Sequence, residues 1–291
     1  MFQYKNSGLT FLMVLAMTTW GLSWTNAKIL GQYADAPLIM LWRFTFASIF
    51  FSLIIRLLNF SFKVHKKALP IIAINAIFMV SYNYYYFRGT QVGLAGIGGV
   101  LVTTLNPLLT TIFSSILLKD PLSKKDILGL GLGLLGSLII LKFWKINIDS
   151  LLLSGNLFFV FASLSWAFVT ITTSKSKFII AFLPYSFWSF TFSAFISLIF
   201  SFKANLFSIF YFDIVFWANL IALSVFAMAF GTSIYFFAST ELGPKKASSF
   251  IFLVPPTAII FAAYFLAEPL QISTIIGGLL GMLAVYIINF K

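Results

Sequence analysis

Ten stretches of predominantly apolar residues, each near the ~20 residues that cross a bilayer's hydrocarbon core, take up almost all of a 291-residue chain. They run over about 9–30, 37–58, 69–88, 95–118, 127–143, 154–173, from Pro184 onward, 214–238, 245–267 and 271–289, with only short polar linkers between them. Such a chain has room for membrane helices and little else. Charged residues make up 9% and the mean hydropathy is +1.02, whereas a soluble domain carries roughly 25% charge. The fold class is therefore all-α integral membrane. The first stretch is too long, and lacks a small-residue cleavage site, to read as a cleavable signal.

Composition also removes several function classes. There are no cysteines, so disulfides and thiolate metal sites are excluded. The single histidine, His65, lies among Lys63, Lys66 and Lys67, which suits a solvated loop; neither a metal nor a cofactor is expected. The net charge of +12 fits positively charged loops that set orientation better than nucleic-acid binding. All seven acids fall in linkers or at segment ends, which disfavours both a midspan acidic proton relay and an intramembrane acid catalyst. There is no phosphate loop and no soluble domain to hold one, so the chain reads as a non-enzyme.

The chain is duplicated. Pro107 and Pro255 are 148 residues apart, as are Pro121 and Pro269, Gly129 and Gly277, and Gly133 and Gly281. The two copies are assigned to residues 1–147 and 148–291, five segments each. An odd number of spans places the second copy upside down relative to the first, the inverted-repeat plan of many secondary transporters, with a midplane site between copies. With the N-terminus inside, thirteen of the nineteen Lys and Arg residues fall on the inner side, five on the outer side, and Arg43 within a span. That imbalance puts both termini in the cytoplasm. One chain holds both copies, so a monomer suffices as the working unit, although the sequence leaves the oligomeric state open.

Several residues together carry a family resemblance: Trp20-Gly21, Pro37 with Arg43 six residues on, Asn106-Pro107, the turns Asp120-Pro121-Leu122 and Glu268-Pro269-Leu270, and the glycines after each turn. In this order and in duplicate, they resemble the drug/metabolite transporter superfamily, in particular its EamA-type ten-helix permeases. The resemblance covers essentially the whole chain. It implies a basket of ten helices whose central cavity is lined by spans one, three, four, six, eight and nine. It also implies a small-molecule substrate drawn from amino acids, nucleosides and other metabolites, and a bacterial inner-membrane location. Both turns depart from the family's Gly-Glu-x-Leu, since Asp120 replaces the glutamate and the preceding glycine is absent from each.

The candidate substrate-binding residues are aromatic or polar and lie at membrane depth. Trp20 and Trp166 hold matching places in the two copies and can form an aromatic wall for a flat or zwitterionic solute. Trp24 fits either that wall or the outer interface. Tyr82 and Tyr86 share a helix face at four-residue spacing, with Asn83 beside them, and Ser233 and Tyr235 hold similar places in the second copy. Asn106 is a polar amide that must be bonded or face a cavity. Pro107, Pro255 and Pro256 each remove a helical hydrogen bond and read either as hinges or as static kinks. Arg43 is an intramembrane charge, which marks it for an anion contact. It sits roughly 9 Å from the outer helix end at 1.5 Å per residue, so snorkelling outward competes with that role. The expected function is alternating-access transport of small metabolites, amino acids or related amphipathic solutes before nucleosides or S-adenosylmethionine-like solutes, with a non-transporting sensor or scaffold as the alternative.

Overall fold

The computed structural model describes residues 2–93, 95–145, 156–266 and 272–290. The division at 147/148 and the Glu268-Pro269-Leu270 turn lie outside the described residues. Ten long helical segments follow one another: α1 Phe2–Leu30, α2 Ala36–Leu57, α3 Leu69–Val92, α4 Ala95–Leu117, α5 Lys124–Ile140, α6 Asn156–Ser176, α7 Phe182–Phe200, α8 Ile214–Glu241, α9 from Pro244 to Leu266, and α10 Ile272–Asn289. Among the described residues there is no strand. Nine of these segments are long and apolar enough to cross a membrane. The tenth, α5, has 17 residues, about 26 Å of helix, and lies along α10.

Boundaries differ from the sequence reading where local chemistry decides. Helix α5 starts at Lys124, because Ser123 and Asp126 form a reciprocal cap: the Asp126 N–H donates to Ser123 Oγ at 3.1 Å and the Ser123 N–H to Asp126 Oδ2 at 2.9 Å. Helix α3 continues to Val92, which brings Arg88 into the helix, where Nη1 reaches Gln91 Oε1 at 3.2 Å. Gly243 precedes α9 with φ of 83°, a left-handed conformation that favours glycine, and Pro244 occupies the first turn, where a missing N–H costs nothing.

The polarity of the molecule is inside out. Outward faces expose large apolar side chains such as Phe11, Phe195, Ile199 and Ile275, while serines, threonines and asparagines are buried between helices. In lipid there is no hydrophobic drive to bring helices together, so small residues and polar contacts do it. Helix α7 turns Ser186, Ser189, Ser193 and Ser197 inward. Against this seam, Asn75 of α3 donates to Ser189 Oγ at 3.2 Å and accepts from Thr172 Oγ1 at 3.0 Å. Helices α5 and α10 meet through glycines: a Cβ on Gly136 would stand 2.7 Å from the Gly277 carbonyl oxygen. The other main pairs are α2 with α7, α3 with α6, α4 with α6, and α1 with both α8 and α9.

Polar ties close the two ends. At one end Lys245, in the first turn of α9, is only 7% exposed. Its Nζ donates to the Asp120 and Pro121 carbonyls at 2.8 and 2.7 Å and pairs with Asp120 Oδ2 at 3.1 Å and Asp126 Oδ2 at 3.7 Å. Lys245 thus fastens α9 to the α4–α5 turn. At the other end the Tyr33 hydroxyl lies 2.9 and 3.0 Å from the two Asp213 oxygens, and Asp213 caps α8 through the Phe216 N–H. That N–H, followed by the Tyr33 hydroxyl, holds the Asp213 carboxyl below its ordinary range. A lowered carboxylate pKa makes the cap's contribution fully present at neutral pH and lost as pH falls through the lowered value.

Gly131 has open space where a Cβ would go, unlike Gly136. Gly136→Ala is expected to cost roughly 1–3 kcal/mol by overpacking and to lower the melting temperature in detergent. Gly131→Ala should leave it unchanged or raise it slightly.

Candidate functional site

Six helices, α1, α3, α4, α6, α8 and α9, line one central cavity, joined by Arg43 of α2, and the first four of them bring Trp20, Trp24, Tyr82, Tyr86, Asn106 and Trp166 to its wall. Trp20 lies ten residues from the end of α1, Asn106 eleven from the start of α4 and Trp166 ten from the start of α6, so each sits about 15 Å along its helix. The cavity is narrow, with about 30 Å³ of open space, room for a water or two. Its walls touch ring against ring. Trp166 packs on Tyr82 at 4.6 Å between centroids, on Trp20 at 5.1 Å and on Tyr235 at 5.7 Å. Trp24 packs edge-on against Tyr86 at 4.7 Å and is buried, so it belongs to the wall and not to the interface.

The wall around Trp20 depends on a departure from α-helical geometry. Ala222–Thr232 of α8 is π-helical, and such a wider turn shifts backbone carbonyls out of the usual ladder. Trp20 Nε1 donates to the Ala227 carbonyl at 2.9 Å, and Thr232 Oγ1 approaches the same oxygen at 3.3 Å. Gly231 makes room for this approach: a Cβ there would lie 2.8 Å from Thr19 Oγ1 and 2.9 Å from Trp20 Nε1.

Arg43 turns inward. It is 5% exposed, Nη1 donates to Asn83 Oδ1 at 2.6 Å, and its Cζ lies 5.7 Å from the Phe87 ring centroid and 6.0 Å from that of Tyr86. The snorkelling reading is therefore corrected: α3 supplies a buried amide acceptor and two rings on the inner side. Asn83 is corrected too. It is fully buried, bonded to Arg43 and through Nδ2 to the Met79 carbonyl at 2.8 Å, and it lies behind the wall. Ser233 and Tyr235 are likewise absent from the wall; the Tyr235 hydroxyl is 2.8 Å from Thr170 Oγ1, and its ring backs Trp20 and Trp166.

Asn106 lines the cavity and also ties helices together, since Nδ2 donates to the Ser163 carbonyl of α6 at 3.2 Å. Its neighbour Pro107 lies inside a continuous α4 and leaves the Thr103 carbonyl without its usual donor. Pro255 and Pro256 lie midway along α9, as expected, but at a junction of two helical stretches. They fall in the first turn of the Val254–Leu266 segment, which follows a 3₁₀ turn at Phe250–Leu253. The tighter turn lets the Val254 N–H bond the Ile251 carbonyl, so these prolines start a helical segment. The sequence reading missed Ser23, Thr103 and Thr232 on the wall. The first two were detectable three residues from Trp20 and Asn106, on the same helical faces; Thr232 depends on the π turn and carried no such signal.

A model of the EamA-like transporter family matches residues 8–142 and again residues 153–290. The chain belongs to the EamA-like transporter family. It is 26% identical over 284 residues to the uncharacterized transporter YyaM of Bacillus subtilis, covering 94% of this chain and 92% of that one. An uncharacterized transporter of Archaeoglobus fulgidus is 24% identical over 287 residues, covering 96% and 98%. A solved crystal structure shares the fold with a TM-score of 0.78 at 15% identity, covering 97% of this chain and 96% of that one.

Trp20→Phe keeps an aromatic ring but removes the shorter of the two hydrogen bonds to the Ala227 carbonyl, leaving that from Thr232 Oγ1. The loss is expected to cost about 0.5–1.5 kcal/mol, read as a lower melting temperature, with the helical content of the folded protein unchanged by circular dichroism.

Proposed function

We propose that this EamA-like transporter moves small amphipathic metabolites, amino acids or related solutes first, by alternating access around the central cavity. The observation that carries the reading is the composition of the wall: rings from α1, α3 and α6 meet hydroxyl and amide groups from α1, α4 and α8 at midspan. Flat or apolar parts of a solute would lie against the rings, and the polar groups would orient its hydrogen-bonding atoms. Among the described residues no carboxylate lines the cavity, which favours exchange or facilitated diffusion over an acidic proton relay.

The inverted repeat and its two units, 1–147 and 148–291, remain part of this proposal. The helix pairing supports it, because exchanging each helix for the one five places on converts α3–α6 into α8–α1 and α4–α6 into α9–α1, while α2–α7 and α5–α10 map onto themselves. The double match to one family model supports it as well. We place the protein in a bacterial inner membrane with both termini cytoplasmic, a monomer with the lipid bilayer and a small solute as its partners. A buried arginine on the wall weighs against a sulfonium cation as substrate.

Counterflow in proteoliposomes, screened with labelled amino acids, nucleosides and organic cations, is expected to give saturable exchange of one class. That exchange should be lost in Trp20→Ala and Asn106→Ala. No exchange of any class by folded protein would overturn the reading and leave the sensor or scaffold alternative.

A further inference from the structure

We infer that Arg43 forms the carboxylate subsite of this cavity, so that the solute carries a carboxylate and a purely cationic solute is rejected. The inference rests on the proposed function for the identity of the cavity as a substrate site, but its own warrant is the environment of the guanidinium.

Arginine presents five N–H donors in a planar fork and stays protonated under all ordinary conditions. The only protein hydrogen bond Arg43 makes among the described residues is from Nη1 to Asn83 Oδ1, a neutral acceptor. Nε is buried without a partner, although the side chain is 95% buried and lines the cavity. No acidic side chain pairs with Arg43 among the described residues. The rings of Tyr86 and Phe87 lie at 6.0 and 5.7 Å from Cζ and supply only a quadrupole. An intramembrane charge with no counter-charge is costly, and the cost falls when an anion arrives.

A carboxylate matches the unused edge of the fork, because two parallel N–H···O bonds can form at once. Asn83 makes that edge available. By holding Nη1 from behind, and being held itself by the Met79 carbonyl, it fixes the guanidinium while leaving Nε unpaired. Trp166 offers a further donor on the same wall, for its buried Nε1 has no hydrogen bond of good geometry and only the nearby Tyr235 hydroxyl competes for it. Arg43 is thus the binding residue, Asn83 a positioning residue, and the Trp166 N–H a second contact.

The test uses three probes with one ring and different charges: 3-phenylpropionate, phenethylamine and L-phenylalanine. Binding to the purified full-length protein is followed by tryptophan fluorescence, and counterflow is measured in proteoliposomes. Wild-type protein is expected to bind 3-phenylpropionate and L-phenylalanine, and phenethylamine at least about tenfold more weakly, as a charge-assisted contact requires. Arg43→Gln should abolish that ratio, and Arg43→Lys should restore part of it. Trp166→Phe should narrow it while keeping the ring. A merely structural role for Arg43 would weaken all three probes together and leave the ratio unchanged, and because the ratio is independent of the folded fraction, misfolding cannot mimic the expected result. An unchanged ratio in Arg43→Gln, equal wild-type binding of amine and acid, or no binding of 3-phenylpropionate at millimolar concentration would each overturn the subsite. Selective, Arg43-dependent binding without counterflow would uphold the subsite and sink the permease reading, whereas counterflow of amine and acid alike would do the reverse.

Discussion

The structure depends on satisfying polar groups where the surrounding solvent has no hydrogen bonds to give. In lipid an unpaired amide, hydroxyl or carbonyl is costly; many serine and threonine hydroxyls bond a carbonyl one turn back in their own helix, while a few amides and an indole reach across to other helices. Asn75 joins α3 to α6 and α7, Asn106 joins α4 to α6, and Trp20 joins α1 to α8. The same bonds that remove the penalty thereby fix which helices lie side by side. Close approach at Gly136 and Gly277 does for α5 and α10 what polar pairs do elsewhere.

Among the described residues, unpaired polar atoms occur on several helices, Ser186 and Ser197 of the α7 seam among them, and two of them belong to residues that border the cavity. Arg43 Nε and Trp166 Nε1 are both buried without a hydrogen bond of good geometry, and both belong to residues on one wall. Next to them, Asn83 is fully committed to Arg43 and Met79. A polar group bonded to its neighbours serves the fold, while one left open on a cavity wall is free to serve a solute.

Much of this was legible in the sequence, and the reasons for the rest are physical. Segment length and low charge specify membrane helices because the hydrocarbon thickness sets both. Trp20, Trp24, Tyr82, Tyr86, Asn106 and Trp166 reach the wall because aromatic and amide groups at midspan have few other places to go. Asn83, Ser233 and Tyr235 fell one layer back, since helical spacing gives a face but not the width of the face that borders a cavity. The behaviour of Pro255 and Pro256 depended on the 3₁₀ turn before them, and the bond from Trp20 on the π turn at Ala222–Thr232. Neither turn shows in residue order. Arg43 could be placed at depth, but its direction was decided by Asn83 on another helix.

The narrowness of the cavity has a consequence for affinity. A solute that enters must first part rings already in contact, each such contact being worth about 0.5–1.5 kcal/mol. Only the difference between the new and the old ring contacts can appear as binding free energy, so flat groups that replace the lost stacking are admitted at little net cost and branched ones are penalised. Closure of the rings behind a departing solute recovers what was lost on entry. At the proposed site, entry and release would then be nearly balanced, which suits a protein that has to let go of what it binds.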